Sequence, residues 1–94
     1  MHSLFNIELL EATHIFPGSF IFKAIGWREG NFMGRVVAAV RAELDELAEP
    51  PFSFRKTASG RHICVTIAPD VDSAEHVLRI YQRLQEVDGL VMLL

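Results

Sequence analysis

The sequence predicts an α+β domain in which a four-stranded antiparallel sheet carries two helices on one face. Three observations predict it. Apolar stripes of helical period in residues 31–48 and 72–86 alternate with runs of strand period. Two of those runs are joined by a tight Ser59-Gly60 turn, which makes them a hairpin. The resulting order, strand, helix, strand, strand, helix, strand, needs a crossover through each helix. Right-handed crossovers put both helices on the same side of the sheet.

The chain is organised around Phe16-Pro17-Gly18-Ser19-Phe20-Ile21-Phe22-Lys23-Ala24-Ile25-Gly26. Pro17-Gly18-Ser19 is a turn cluster, and the residue before proline avoids the α region, so any upstream helix ends there. The strand over residues 20–25 points Phe20, Phe22 and Ala24 one way and Ile21, Lys23 and Ile25 the other. Both faces are mostly apolar, the pattern of a central strand. Upstream, residues 3–11 form a short helix with Leu4, Ile7 and Leu10 on one side and Ser3 as its cap. Under three turns, it needs to dock on the domain to persist; the alternative is a loosely held arm. The chain therefore divides into a short helix or arm over residues 1–15 and one domain over residues 16–94.

Residues 26–30 form a loop with the only tryptophan, Trp27. Asn31 caps a helix running to about residue 48, in which Met33, Val36, Val37, Val40, Leu44 and Leu47 make the apolar stripe. Gly34 inside that helix costs roughly 1 kcal/mol against alanine, so it marks either close backbone packing or a later helix start. Pro50-Pro51 stops the helix. In residues 52–58, Phe52, Phe54 and Lys56 alternate with Ser53, Arg55 and Thr57. Across the turn, residues 61–68 set Ile63, Val65 and Ile67 against His62, Cys64 and Thr66, the clearest strand in the chain. Asp72 and Glu75 have the spacing of a capping box for a helix to about residue 86, with Ala74, Val77, Leu78, Tyr81 and Leu84 inward. Asp88-Gly89 turns the chain into residues 90–94, a last strand apolar on both faces. The layout is a ferredoxin-like βαββαβ sandwich with spatial strand order 4-1-3-2.

Ninety-four residues, half of them hydrophobic and 22% charged, suit one globular domain rather than a disordered chain. A net charge of −3 provides no global attraction to nucleic acid or anionic membranes. One cysteine, Cys64, cannot form an intrachain disulfide. Glu8 and Glu11 interrupt the N-terminal apolar residues, so no signal peptide is read, and no apolar run reaches the ~20 residues that span a bilayer. A cytoplasmic protein is expected.

With the strand order in place, the chain resembles the YbeD-like family, small bacterial proteins of unknown function often labelled lipoic acid-binding regulatory proteins. The resemblance rests on Phe16-Pro17, Phe20, Lys23-Ala24-Ile25-Gly26, the Gly60 hairpin, Val65-Thr66-Ile67, Tyr81 and the terminal Met92-Leu93-Leu94. It implies a ferredoxin-like fold similar to ligand-binding regulatory (ACT-type) domains, and it supplies no activity. No lipoyl-attachment lysine motif is found in this sequence. His62 and Cys64 stand where relatives often have tyrosine and serine, Ser59 where they have lysine, and Val91 where they have a basic residue.

Two helices cover one sheet face, so the other is the place to look for function. Lys23, Arg55, His62 and Thr66 share it and are the expected ligand-binding residues, with Cys64 beside them. From Pro51 to Pro69 there are three basic residues and no acid, which favours an anionic ligand or an acidic partner. The bland reading is a solvated face whose charges discourage strand pairing. An RNA-binding sheet needs stacking aromatics that the third strand lacks on its polar face. Ile21, Ile25, Leu90 and Met92 make an apolar half that needs cover, either from the N-terminal segment or from a second subunit in a homodimer.

No catalytic set, metal site or cofactor motif emerges. Cys64 has no CxxC partner and lies in a strand, away from any helix N-terminus that would lower its pKa. His2, His14, His62 and His76 lack metal-ligand spacing. Asp70, Asp72 and Glu75 mimic the start of a calcium loop, but glutamate stands where that loop needs glycine. The expected protein is a non-enzymatic regulatory module, dimeric, that binds a small ligand or a protein partner. The alternatives are a small enzyme using Lys23, His62 or Cys64, and a structural subunit of a larger assembly.

Overall fold

The computed structural model describes residues 6–94, so Ser3 and Leu4, assigned to the first helix, lie outside the described residues. The elements are α1 (Ile7–Thr13), β1 (Gly18–Ser19), β2 (Phe22–Trp27), α2 (Phe32–Arg41), β3 (Phe52–Lys56), β4 (His62–Ile67), β5 (Asp70–Val71), α3 (Ala74–Gln85) and β6 (Leu90–Leu93). The main sheet runs β3-β4-β2-β6, antiparallel throughout. Among the described residues no helix is long and apolar enough to cross a membrane.

The strand expected over residues 20–25 is longer than that and broken. Gly18–Ser19 pairs with Asp70–Val71, and Phe22–Trp27 pairs with His62–Ile67 in the same register. Between them the Phe20 N–H donates to the Pro69 carbonyl at 3.0 Å. Proline has no N–H to return the bond, so one ladder becomes two. Phe20 is nevertheless buried and stacks on Phe22, with ring centroids 4.9 Å apart.

One face of the sheet supplies Phe22, Ala24, Ile63, Val65 and Ile67 to the core. Opposite them pack Phe32, Val36 and Val40 from α2 and Ala74, Val77, Ile80, Tyr81 and Leu84 from α3. The Phe32 ring lies directly on the backbone of Gly26. A Cβ there would sit 2.6 Å from Cε2 and closer still to Cε1 and Cζ, so only glycine lets α2 approach this strand.

Helix α2 begins as expected at Asn31, whose side-chain oxygen accepts from the Gly34 N–H at 3.3 Å. Gly34 answers the question its position raised. A Cβ would fall 2.8 Å from Asn31 Cγ, so the glycine makes room for the cap. The helix stops at Arg41, well short of residue 48 and of Pro50-Pro51. The Glu43 carbonyl, which a longer helix would use internally, instead accepts from His76 Nε2 at 2.7 Å. Leu47 consequently leaves the core stripe and is 93% exposed.

Helix α3 is capped by Ser73, which accepts from the His76 N–H at 3.2 Å; the expected Asp72–Glu75 box does not form. Its inward stripe includes Ile80 and His76, which the apolar spacing alone does not single out, while Leu78 is only half-buried. The first helix is capped by Asn6, which accepts from the Glu8 and Leu9 N–H groups. Leu10 joins the core, and α1 packs against α3 rather than over the open sheet face.

Candidate functional site

The face away from the helices is built by alternate residues of the four strands. On β2 these are Lys23, Ile25 and Trp27, lying opposite Thr66, Cys64 and His62 of β4. The N–H of Phe20 reaches Pro69 and that of Arg28 reaches Arg61, which makes the open-face pairs the non-hydrogen-bonded ones. Side chains stand closest in such pairs. Ser53 and Arg55 of β3 continue the row opposite Thr66 and Cys64.

Lys23, Arg55 and Thr66 are thus brought together. With Ser53, Phe54 and Cys64 they line a shallow groove of about 270 Å³. The four strands carry no Asp or Glu, and among the described residues neither Lys23 nor Arg55 has a carboxylate within ion-pairing distance. The groove therefore presents two exposed cations, two hydroxyls and a thiol to anything that enters it.

His62, the fourth expected ligand residue, lies outside the groove. It stacks on Trp27 with ring centroids 4.3 Å apart, at the far end of the face. Sequence pattern places Trp27 in a loop, so this half-exposed aromatic goes unnoticed there. The signal is nonetheless present, since Trp27 continues the Lys23, Ile25 alternation by one more step. Cys64 and His62 are two residues apart on one strand, and no hydrogen bond joins them among the described residues.

The apolar half of the face differs from expectation at one residue. Ile21, Ile25 and Met92 are on it, Met92 directly across from Ile25. Leu90 is not. The register between β2 and β6 shifts between Ile25 and Gly26, so that Leu90 pairs with Gly26 on the helix side and packs against the core. A β-bulge at Val91 absorbs the extra residue, and one extra residue reverses the alternation.

A second, larger groove of about 670 Å³ lies between the end of α2 and β5, with Glu43, Asp45, Glu49, Asp70, Asp72 and His76 on its walls. Its floor is a fixed network. His76 Nδ1 accepts from the Asp72 N–H at 3.0 Å while Nε2 donates to Glu43, which sets the Nε2–H tautomer. The Glu43 carboxylate accepts from Arg83 Nε at 2.6 Å and Arg79 Nε at 3.2 Å. The bond from Arg83 holds this carboxyl below the usual range, against the opposing effect of burial, with Arg79 adding to it. Among the described residues no cluster of three or more His, Cys, Asp or Glu is arranged to hold a metal ion.

Residues 11–94 match the family described as protein of unknown function (DUF493). The chain belongs to this family. Its DUF493 relatives include a UPF0250 protein of Shewanella piezotolerans, 34% identical over 83 residues and covering 88% of each chain. Another, from Shewanella oneidensis, is 30% identical over the same share of both chains. The solution structure of HP0495 from H. pylori superposes with a TM-score of 0.61 over 87% of this chain and 86% of that one, at 14% identity. The DUF493 chain thus shares an α+β, ferredoxin-like fold with a protein of very different sequence.

Proposed function

We propose that the protein is a non-enzymatic regulatory module that binds a small acidic ligand on its open sheet face. Lys23 and Arg55 take the carboxylate or phosphate, and Ser53 and Thr66 donate hydrogen bonds to it. Ile25, Met92 and the Trp27–His62 stack offer an apolar surface to the rest of the ligand. The observation that carries this reading is the pairing geometry. It puts two cations and two hydroxyls around one groove, on a sheet face with no carboxylate in range and no covering helix among the described residues. A binding role fits better than catalysis, because the thiol has no base beside it and catalysis needs a nucleophile with an oriented partner.

The test is a nuclear magnetic resonance titration of the full chain with hexanoate and with pyrophosphate. Ligand binding shifts the amides of Lys23, Ser53, Arg55, Cys64 and Thr66 together, and Lys23→Ala abolishes those shifts. Uniform or absent shifts at millimolar probe, or shifts unchanged in Lys23→Ala and Arg55→Ala, overturn the assignment. A thermal-shift screen of small carboxylates and phosphates then ranks ligand classes.

A further inference from the structure

The edge strand β3 carries two phenylalanines on its helix-side face, yet Phe52 and Phe54 are 50% and 53% exposed. Their cross-strand partners Ile67 and Val65 are buried in the core. Helix α2 packs over β2 and β4 and ends at Arg41. Among the described residues, two aromatic side chains on the core side of the sheet thus lack a roof.

The backbone of the same residues is also unsatisfied within the sheet. The Thr57 N–H donates to the His62 carbonyl and the Ala68 N–H to the Pro51 carbonyl. Residues 51, 53, 55 and 57 therefore turn their backbone groups toward β4, and Phe52, Phe54 and Lys56 turn theirs outward. Pro50, of the same outward parity, has no N–H to extend a ladder in one direction, and the turn at Ser59-Gly60 ends it in the other. Phe54 is the midpoint of what remains.

We infer that β3 is a homodimer interface, in which two copies of this chain pair antiparallel about a twofold axis through Phe54. Only this register pairs all three outward-facing residues of both strands. It sets Phe54 against Phe54 of the second copy and Phe52 against Lys56, gathering four phenyl rings on the helix side of a continuous eight-stranded sheet. Arg55 then lies opposite Ser53. A shift toward the turn would set Arg55 against Arg55, and like charges directly opposite destabilise a pair. A shift the other way forfeits Lys56. The Lys56 stem lies along the Phe52 ring with its ammonium in water, so the charge does not obstruct pairing. A strand-sized interface is small, at the end of the size range occupied by transient complexes. Ser53, Phe54 and Arg55 also line the open-face groove, but the pairing uses the outward backbone groups of β3 and its helix-side face, so the dimer is tested with no ligand present.

Sedimentation velocity of the full chain over a concentration series tests the association, and mixed cysteine variants test the register. The chain is expected to move from monomer to dimer, and Phe54→Asp, which sets two carboxylates face to face, weakens this at least about tenfold. In a Cys64→Ser background, Ser53→Cys mixed with Arg55→Cys gives a disulfide-linked heterodimer on mild oxidation, and neither variant links to itself. A chain that stays monomeric throughout the series overturns the inference. So does a dimer indifferent to Phe54→Asp, or self-linking of Arg55→Cys as strong as the mixed product. The cysteine variants retain Phe54 and give a reading even where Phe54→Asp fails to fold.

Discussion

Substitution of Gly26 by alanine isolates the contact on which the helix layer rests. The backbone at Gly26 is of ordinary φ, so alanine adds no conformational strain. The entire effect comes from the new methyl, which would lie 2.6 Å or less from three carbons of the Phe32 ring. That ring is fully buried, between the strand and the α2–α3 layer, and cannot rotate into solvent. Overpacking of this kind costs about 1–3 kcal/mol. In a domain of this size that corresponds to a fall in Tm of roughly 4–8 °C per kcal/mol. Urea and thermal unfolding followed by circular dichroism measure it, with Trp27 fluorescence as a probe one residue away. Phe32→Leu removes part of the ring, so the double variant recovers stability relative to the sum of the two single changes, a coupling expected only of residues in contact. A Gly26→Ala protein that melts within a degree of the parent, or a double variant that is simply additive, would refute the reasoning.

Three further outcomes are expected. His76→Leu strands the Asp72 N–H and the Glu43 carbonyl and lowers stability by about 1–3 kcal/mol in urea titrations, while the far-ultraviolet spectrum holds. Glu43 has its carboxyl pKa depressed, chiefly by Arg83, so its contribution is complete above the unfolded carboxyl value of roughly 4.3 and is lost as pH falls through the lower folded value. Glu43→Gln therefore destabilises at neutral pH, by about 1 kcal/mol or less, and the difference from the parent disappears in acid, as denaturant midpoints across pH 2–7 would record. At Gly60, where φ is +75° and nothing stands within 4 Å of an added methyl, Gly60→Ala costs about 1 kcal/mol from the backbone alone and leaves the hairpin register intact by amide exchange.

Local pattern carried most of the architecture. The alternation of Ile63, Val65 and Ile67 with His62, Cys64 and Thr66 located β4 and both of its faces, because a period of two has only one arrangement with the apolar set inward. The Asn31 cap was equally legible, since a side-chain oxygen before an apolar stripe meets orphan N–H groups within its own turn. Lys23, Arg55 and Thr66 could be assigned to one face from alternation alone. Their meeting in a groove depended on which strands pair and in which register.

What failed was decided by partners distant in sequence. Leu47 keeps helical spacing with Leu44, but His76, 33 residues beyond Glu43, takes the carbonyl that would have continued the helix. Leu90 matches Met92 in alternation, yet the bulge opposite Gly26 sends it to the other face. Phe52 and Phe54 alternate as one face of their strand, yet that face is half-exposed while its partners Val65 and Ile67 on β4 are buried. Within the chain, the sequence by itself determined which residues alternate, where helices start and the order of the elements, all short-range consequences of backbone geometry and burial. Only the tertiary structure decided where α2 stops, which way β6 faces and that β3 has no roof among the described residues. Each of those turns on a contact between segments that no local window contains.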